Sequence, residues 1–354
     1  MPFLLLLFSP LSLFILNSPI ELERCIAIKE QKDFFLIREN LSGHYCQKKD
    51  INFSEELEPI GNFLEPFSGV YDGRGFKLKN AVIKTDNYEG AGIFAVSKGK
   101  ILNVFVEKAV IKGNDLVGGL VGLNKGEIKN SLVFGSVEGL NGIGGIAGQN
   151  AGFIENSAFI GTVYGLVSVG GIAGQNFGFS DDYAVITKSS SDALVFGDTD
   201  VGGVVGAVSK GLIDRSFSTN ISQGVNGIGG LVGHLSLESK IINSYSHSSV
   251  VGYDFVGGLI GSNSELSGFS EVINSYSVGL VSGSGQGVGG LIGSAYWGEI
   301  LVENSYWDTE TSSQEQSDGG EGRTTAEMFE RENYQGWDFR DIWKIENWYP
   351  TLRL

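Results

Sequence analysis

The sequence predicts an all-β protein, a single-stranded parallel β-helix in which the chain coils through stacked turns, called rungs here. Three observations predict this fold. A glycine-rich phrase, VGGLVG at residues 117–122 in one copy, recurs at a nearly constant interval, as it does in a solenoid. Apolar residues alternate with small or polar ones over four to six positions, which is strand periodicity. Between Gly92 and Tyr306 no stretch carries a sustained helical stripe.

Composition supports this class and excludes others. The 354 residues include 53 glycines but only 6 prolines, so glycine serves backbone geometry rather than a collagen repeat or a proline-rich linker. A hydrophobic share of 42% is enough for a sizeable core. The net charge of −16 is spread along the chain and would repel a phosphate backbone, so no nucleic-acid partner is expected.

Residues 1–20 form an apolar run that is too short and too rich in Ser and Pro to span a bilayer. The run resembles the hydrophobic part of a secretory signal peptide, which predicts a secreted or cell-surface protein without a transmembrane segment in its mature chain. It lacks a preceding Lys or Arg and an A-x-A-like cleavage site. A short retained anchor, a misplaced start codon and a buried N-terminal helix or strand therefore stay open.

Residues 21–89 are predicted to cap the N-terminal end of the coil, because a solenoid exposes strand edges and apolar interior at its ends. This segment is less repetitive and includes the sequence DGRG at 72–75, which is typical of a hairpin turn. It also holds the two cysteines, Cys25 and Cys46. They are compatible with one disulfide in an oxidising compartment and equally with two free thiols.

Residues 90–307 are predicted to be the solenoid proper. The glycine phrase occurs in seven copies at nearly even steps, and a degenerate copy precedes them at 91–95. A rung of this length holds two or three short strands, so seven or eight rungs would form a rod roughly 35 Å long, right-handed by default. The three glycines of each copy are Gly118, Gly119 and Gly122; Gly144, Gly145 and Gly148; Gly170, Gly171 and Gly174; Gly202, Gly203 and Gly206; Gly229, Gly230 and Gly233; Gly257, Gly258 and Gly261; Gly289, Gly290 and Gly293.

Each recurrent residue type has a predicted role. The glycines suit corners that need a positive φ or a close backbone approach. Apolar pairs between them, such as Leu120 and Val121, are expected to fill the interior. A second phrase centred on Asn-Ser follows the copies. Arg215-Ser216 replaces Asn-Ser in one rung, and in another rung the equivalent pair is expected somewhere within residues 187–197. The asparagines of this phrase are expected to stack from rung to rung and to satisfy otherwise buried amides: Asn130, Asn156, Asn243, Asn274 and Asn304.

Residues 308–354 are predicted to cap the C-terminal end. TTAEMFERENY at 324–334 is typical of a short helix with Thr324 or Thr325 near its N-cap. The aromatic and aliphatic residues that follow are expected to fold back over the last rung: Trp337, Phe339, Ile342, Trp343, Trp348 and Tyr349.

The repeats resemble the GLUG-motif repeats, named for glycine, leucine, a variable apolar residue and glycine. GLVG at 119–122 and 230–233 and GLIG at 258–261 and 290–293 match directly, while GIAG at 145–148 and 171–174 and GVVG at 203–206 are relaxed copies. The flanks at 59–80 and 304–328 resemble the segments that precede and close such arrays. The resemblance implies a secreted or surface-exposed bacterial or archaeal β-solenoid of the kind found in adhesin-like proteins and IgA-cleaving metallopeptidases. The H-E-x-x-H zinc helix of those peptidases is not in this sequence.

The motifs that would carry a cofactor or a metal do not fit. His44, His234 and His247 form no i, i+4 pair, so no zinc site is expected, and His234 is predicted to occupy a tolerated variable position. The glycine phrase lacks the Lys-Ser/Thr of a phosphate loop and recurs seven times instead of once. It also lacks the aspartate of a calcium-binding nonapeptide repeat. No cofactor is expected.

Two groups of residues are candidates for a functional surface. Asp181 and Asp182, with Asp192, Asp198 and Asp200, would suit a polysaccharide lyase or hydrolase if they paired on one face, although a solvated inserted loop in an acidic protein is the favoured explanation. Aromatic residues near the C-terminal end could stack on sugars or a partner, or instead close the core from inside. These aromatics are Tyr245, Tyr276, Tyr306, Trp307, Tyr296 and Trp297.

The function favoured by the sequence is therefore non-enzymatic: an adhesion or binding module, or a structural spacer, at a cell surface. A glycan-active enzyme on the same coil is the alternative. The partner is expected to be an unidentified protein or glycan, and the protein a monomer or part of a larger surface assembly. Any specific activity is expected where the repeat is interrupted: in the long loop after Gly174, at the aromatic residues near Tyr296, or in the caps.

Overall fold

The computed structural model describes residues 25–86, 90–180, 182–264 and 269–354. They form a parallel β-solenoid of about nine turns, which confirms the predicted fold class. Four parallel sheets run along the coil and contain seven, eight, eleven and fifteen strands. They are called here the seven-, eight-, eleven- and fifteen-stranded sheets.

Each complete rung contributes strands to the four sheets in turn, so it holds four strands rather than the predicted two or three, and five in the later rungs, where the strand of the fifteen-stranded sheet is divided in two. The rung at residues 115–138 shows the order: Asp115–Gly118 in the seven-stranded sheet, Val121–Asn124 in the eight-stranded, Glu127–Lys129 in the eleven-stranded and Leu132–Glu138 in the fifteen-stranded. The glycine phrase joins the first two of these strands, and Asn130-Ser131 forms the corner between the last two.

The strands of the four sheets have the following bounds. The seven-stranded sheet contains Asp115–Gly118, Asn141–Gly144, Val167–Gly170, Thr199–Gly202, Asn226–Gly229, Asp254–Gly257 and Val288–Gly289. The eight-stranded sheet contains Phe94–Ser97, Val121–Asn124, Ala147–Asn150, Ala173–Phe177, Val205–Ser209, Val232–Ser236, Ile260–Ser264 and Ile292–Trp297. The eleven-stranded sheet contains Ile26–Ile28, His44–Gln47, Val70–Asp72, Lys100–Leu102, Glu127–Lys129, Phe153–Glu155, Ala184–Thr187, Gly211–Asp214, Lys240–Ile242, Ser270–Ile273 and Ile300–Glu303. The fifteen-stranded sheet contains Ile51–Asn52, Lys77–Lys79, Val82–Lys84, Phe105–Lys112, Leu132–Glu138, Ala158–Tyr164, Ser190–Phe196, Phe217–Ser218, Ile221–Gln223, Tyr245–Ser246, Ser249–Gly252, Tyr276–Ser277, Val281–Gly283, Tyr306–Asp308 and Glu321–Arg323.

Short helices and one small antiparallel pair lie outside these sheets. The α-helices are Gln31–Phe35, Thr309–Ser312 and Thr325–Met328, and the 3-10 helices are Leu36–Glu39 and Arg331–Asn333. The antiparallel pair joins Trp343–Lys344 to Thr351–Leu352. Thr324 is the N-cap of Thr325–Met328, and its side chain and that of Glu327 form a capping box, in agreement with the predicted helix start.

The register places equivalent residues of successive repeats directly above one another. Val117 pairs with Ile143, and Val121 with Ala147, so one repeat step equals one full turn of the coil. The apolar pairs between the glycines are completely buried, as predicted: Leu120, Val121, Ile146, Ala147, Leu231 and Val232. One continuous apolar core therefore runs along the coil, with each rung covered by its neighbours.

The repeat glycines are needed for close backbone approach rather than for a positive φ. A Cβ atom on Gly148 would lie 2.2 Å from the carbonyl carbon of Leu116 in the preceding rung. The seven- and eight-stranded sheets meet at this contact, and a side chain would separate them. The left-handed corners are occupied instead by other residues, among them every predicted Asn-Ser asparagine, whose φ values lie between 45° and 51°.

The Asn-Ser phrase stabilises the coil mainly through its serine. Each serine hydroxyl accepts a hydrogen bond from the backbone N–H of the serine one rung earlier, at 3.1 or 3.2 Å for every consecutive pair from Ser131–Ser157 to Ser275–Ser305. The column is Ser131, Ser157, Ser189, Ser216, Ser244, Ser275 and Ser305, and all of its members are buried. The predicted asparagine ladder is present only in part: Asn156 donates to Asn130 at 2.8 Å on the outer corner, where Asn130 is exposed, whereas Asn243 donates to Asp214. The side-chain oxygens of Asn243 and Asn274 are buried without a hydrogen-bond partner, so the predicted stacking does not satisfy them.

A second, buried asparagine column was not predicted. Asn124 donates to the side-chain oxygen of Asn150, and Asn150 donates to that of Asn176, both at 2.8 Å. All three side chains are completely buried at the corner between the eight- and eleven-stranded sheets. Stacked amides here satisfy each other's donors and acceptors in the interior.

The N-terminal segment belongs to the same coil. Ile26–Ile28, His44–Gln47 and Val70–Asp72 extend the eleven-stranded sheet in parallel. The predicted hairpin at 72–75 is wrong, because Val70–Asp72 and Lys77–Lys79 lie in different sheets and the turn between them is a corner of a rung. Cys25 and Cys46 are joined in a disulfide beside the paired strands Ile26–Ile28 and His44–Gln47.

The C-terminal segment covers the flank of the coil. Tyr245, Tyr276 and Tyr306 stack in register on the fifteen-stranded sheet, with the rings of Tyr245 and Tyr276 5.2 Å apart. Since their strand neighbours Ser246 and Ser277 face the interior, these rings face outward. Buried residues of the C-terminal segment lie against them, including Trp337, Trp343 and Tyr349. The tyrosines are therefore neither an inward stack nor a free binding surface.

Candidate functional site

Two openings on the outer surface of the described coil lie where the repeat changes. The first, called the lysine groove, is a cavity of about 560 Å³ at the corner that leads into the eleven-stranded sheet. The short turns Lys98–Gly99, Lys125–Gly126 and Ala151–Gly152 stack there on successive rungs. Because each turn is fixed by the strands on both sides, the backbone positions of Lys98 and Lys125 lie on adjacent rungs, about 4.8 Å apart along the coil.

The repeat insertion after Gly174 forms the roof of the lysine groove. Asp182 and Tyr183 of this insertion line the cavity together with Phe153. The insertion is tied to later rungs, since the Tyr183 hydroxyl donates to the backbone oxygen of Glu238 at 3.0 Å and Lys210 Nζ donates to the backbone oxygen of Ser180. These contacts hold the roof over the stacked turns.

The charges around the lysine groove are unevenly paired. Glu127 is shared by two lysines, Lys100 at 3.5 Å and Lys129 at 3.6 Å, so its charge is compensated. Lys98 and Lys125 are exposed and have no ion-pair partner among the described residues. The groove thus offers two ammonium groups to solvent, partly offset by the carboxylate of Asp182 on the same lining, on a chain whose net charge is −16. Such a local positive site attracts an anionic group.

The second opening, called the polar cavity, has a volume of about 310 Å³ and lies between the seven- and eight-stranded sheets. One wall is a column of corner residues in the left-handed conformation, one per rung, with φ between 52° and 70°. This column is Leu116, Gly142, Ser168, Asp200, Gly227, Phe255 and Gly287. The opposite wall is the column Gln175, Ala207, His234, Ser262 and Ser294 of the eight-stranded sheet.

The side chains of the corner column lean toward the next rung where that rung has a glycine. A Cβ atom on Gly142 would lie 3.0 Å from Leu116 Cδ2, and one on Gly287 would lie 2.6 Å from Phe255 Cδ1. The same lean brings Asp200 over Gly227, where a Cβ atom would lie 2.9 Å from Asp200 Oδ1 and 3.5 Å from Ser262 Oγ. The missing side chain of Gly227 therefore leaves the gap between Asp200 and the serine column.

His234 is held in place by both ring nitrogens. Its Nδ1 lies 2.9 Å from Ser262 Oγ, and its Nε2 lies 3.0 Å from Ser264 Oγ. Burial lowers the pKa of His234, so the ring is neutral at pH 7. A neutral ring donates through one nitrogen and accepts through the other, which leaves one of the two serine hydroxyls as a donor to the ring and the other as an acceptor.

Asp200 is the carboxylate of the polar cavity. Burial raises its pKa to about 6, because the ionised form loses part of its hydration. None of the described residues donates a hydrogen bond to this side chain, and a hydroxyl from a ligand could therefore compensate the charge.

The acidic residues predicted for a glycan-active enzyme are not brought together. Asp181 lies outside the described residues, and Asp182 lies on the roof of the lysine groove. Asp192 belongs to a strand of the fifteen-stranded sheet and Asp200 to one of the seven-stranded sheet, with Asp198 exposed between them. These three carboxylates are thus spread over two sheets and the turn between them, and the described residues hold no group of three or more His, Cys, Asp or Glu side chains that could bind a metal ion. The side chains of Tyr296 and Trp297 also lie outside the described set.

The sequence analysis did not predict the lysine groove, and it assigned Asp200 and His234 of the polar cavity to unrelated features. Lys98 and Lys125 occupy the same place in consecutive repeats, and this repetition was the available signal. Asp200 was grouped with the acidic residues near the long repeat and His234 was assigned to a tolerated variable position, and the two stand in different rungs. Their proximity depends on the lean of Asp200 across Gly227, which the sequence does not encode in a recognisable motif.

Comparisons with known proteins support the fold. No family model matches the chain. A solved structure from Bacteroides ovatus, provisionally described as an immunoglobulin A1 protease, superposes with a TM-score of 0.56 over 93% of this chain and 92% of that one, at 17% identity. A second solved structure, of an IgA1 protease, has a TM-score of 0.47 at 15% identity over 92% of this chain and 24% of that chain. The first likeness shows a shared β-helical fold.

Two curated proteins match shorter parts of the sequence. A protein of Evansella cellulosilytica, provisionally named a Gly-rich membrane protein, is 42% identical over 118 residues, which is 31% of this chain and 13% of that protein. Halomucin of Haloquadratum walsbyi is 31% identical over 110 residues, which is 30% of this chain and 1% of halomucin. The chain therefore covers only a small part of either relative. In the described residues, no helix has the length and apolar character needed to cross a membrane.

Proposed function

We propose that this protein is a GLUG-motif array of the cell surface and acts as a non-enzymatic binding module for acidic glycans. The observation that carries the proposal is the lysine groove, in which the unpaired Lys98 and Lys125 lie under a roof supplied by the long insertion after Gly174. The Gly-rich relatives support the surface location, and the glycine motifs support membership of the GLUG repeats.

The residues of the groove match the chemistry of a carboxylated sugar chain. The two ammonium groups are positioned to bind carboxylates, each contributing about 0.2–1 kcal/mol at an exposed site. Phe153 and Tyr183 add aromatic surface of the kind that packs against sugar rings. A regular polymer is favoured over a single anion because the lysines repeat along the coil axis at the rung spacing.

Binding of polygalacturonate to the immobilised protein tests the proposal, with uncharged dextran as the comparison polymer. The double variant Lys98→Glu/Lys125→Glu is expected to weaken binding about tenfold, since two favourable charge contacts become unfavourable. Raising the salt concentration is expected to weaken binding of the unmodified protein as well.

A matched control is the variant Lys48→Glu/Lys49→Glu. These exposed lysines follow His44–Gln47 at the other corner of the eleven-stranded sheet, and the variant changes the net charge by the same amount. Equal loss in both variants would show that only overall charge matters and would refute the groove. Cleavage of the polymer during the assay would refute the non-enzymatic assignment.

A further inference from the structure

The polar cavity differs from the lysine groove in position, charge and shape. It opens between the seven- and eight-stranded sheets, whereas the groove lies at the entrance to the eleven-stranded sheet. Its lining has one carboxylate, one neutral histidine, several hydroxyls and two amides, and it has no lysine or arginine. An anionic ligand is disfavoured there because Asp200 would repel it.

A metal ion is also disfavoured. Hard cations such as Ca²⁺ take six to eight oxygen ligands, commonly with several carboxylates. Within the described residues, no cluster of three or more His, Cys, Asp or Glu side chains is placed to hold an ion. Both nitrogens of His234 are already engaged by Ser262 and Ser264, so the ring has no free position for coordination.

We propose that the polar cavity binds an uncharged sugar or polyol through its hydroxyl groups. Asp200 would accept hydrogen bonds from two adjacent hydroxyls, since an ionised carboxylate has acceptor sites on both oxygens. Asn226, Ser262 and Ser294 offer donors and acceptors around the same space. The volume of about 310 Å³ lies at the lower end of the range for small-molecule sites.

The shape of the cavity fits a ring with one polar edge and one apolar face. The ring of Phe255, which belongs to the same corner column as Asp200, forms an apolar wall one rung beyond the gap at Gly227. Aromatic rings pack against the C–H face of a sugar while neighbouring polar groups bind its hydroxyls. The bond to His234 fixes the position of Ser262 Oγ, which would lie 3.5 Å from a Cβ atom on Gly227 and so borders the gap on the side opposite Asp200.

The site can be tested by ligand-observed NMR with a panel of uncharged probes: the methyl glycosides of glucose, galactose and mannose, and myo-inositol. At least one probe is expected to give saturation-transfer signals with the full chain at pH 7.5. Asp200→Asn keeps the size of the side chain but removes its charge, and it is expected to weaken binding at least about tenfold. Gly227→Ala places a methyl group in the gap and is expected to abolish the signal.

Two controls separate this site from others. Gly142→Ala makes the same change at the equivalent corner beside Leu116 and is expected to leave probe binding unchanged, which controls for strain in the column. Lys98→Glu/Lys125→Glu is likewise expected to leave it unchanged, so this inference and the proposed acidic-glycan groove succeed or fail separately. Thermal unfolding followed by circular dichroism shows whether each variant is folded.

The inference is overturned if no probe in the panel binds at about 100 mM, a concentration far above the dissociation constants of specific sugar sites. It is also overturned if a probe binds equally well to the folded Asp200→Asn variant. If Gly227→Ala does not fold, the result for Asp200→Asn alone decides the question.

Discussion

Replacing Asn150 by alanine tests how the buried asparagine column stabilises the coil. The Asn150 side chain is completely buried, donates to Asn176 Oδ1 at 2.8 Å and accepts from the backbone N–H of Gly152 at 3.3 Å. Truncation leaves two completely buried groups, the Asn124 side-chain N–H and the Asn176 side-chain oxygen, without their partner, and it also removes the bond to the partly buried Gly152 amide. At about 1–3 kcal/mol for each unsatisfied buried group, the expected loss is about 2–6 kcal/mol.

Urea unfolding followed by circular dichroism measures the global effect, and hydrogen exchange at the Gly152 amide measures the local one. The control is Gln149→Ala, a partly exposed neighbour for which less than about 0.5 kcal/mol is expected. Because rungs interact chiefly with their neighbours, faster exchange should be concentrated in rungs adjoining residues 147–155. A loss below about 1 kcal/mol, or an equal loss in the control, would contradict the assignment of stability to this column.

Two further predictions concern the packing of the sheets and the electrostatic cost of the polar cavity. Gly148→Ala is expected to lower the unfolding free energy by about 3 kcal/mol, measured by chemical denaturation, because its Cβ must displace the Leu116 backbone. The control is Gly75→Ala, where a Cβ atom would have open space and the expected loss is about 1 kcal/mol. Equal losses in the two variants would refute the close-approach argument. Asp200→Asn is expected to raise the unfolding free energy above pH 6 by up to about 3 kcal/mol and to have little effect below pH 3.8. The reason is that the Asp200 pKa is raised from 3.8 to about 6 in the folded protein, so the native carboxyl costs stability as pH rises through that window. Thermal unfolding at pH 4 and pH 7.5 checks the second prediction, and a stability gain that is equal at both pH values would contradict it.

The fold could be predicted from the sequence because its main signal is local and repeated. The steps between glycine copies are close to one turn of the coil, and the buried pairs such as Leu120 and Val121 follow from simple alternation. The number of strands per rung was underestimated, because strands of three or four residues on either side of a tight corner show too little alternation to be separated.

The assignment of the polar ladders shows where pattern reasoning fails. Asparagine was the more conspicuous half of Asn-Ser, and its amide suggested stacking, but the left-handed corner turns that side chain outward. Arg215 and Lys188 adopt the same left-handed corner in their rungs, whereas serine recurs at the next position in every one of these rungs. A buried hydroxyl that bonds to the preceding rung is thus the stricter requirement.

The candidate sites could be located only in part from the sequence. The long insertion after Gly174 was one of the places where a specific activity was expected, and it lines the lysine groove, while the activity itself stays a prediction. The polar cavity depends on two columns that the coil brings face to face, and Asp200 and His234 stand in different rungs, too far apart along the chain for a local pattern to join them. The sequence left open whether the tyrosines face the interior or form a binding surface. The segment that covers them includes residues such as Tyr349, which lies far beyond Tyr306 in the sequence.

The register of the rungs has a consequence for how such a protein can change its length during evolution. Residues 141–166 form a unit that begins and ends at equivalent points of the coil. Loss of that unit would bring Val117 opposite Val169 and Asn124 opposite Asn176, so the apolar column beside the glycine phrase and the buried asparagine column would close again with like residues. Unequal recombination between repeats could therefore shorten or lengthen the protein by whole rungs, about 4.8 Å at a time, without a new core having to arise.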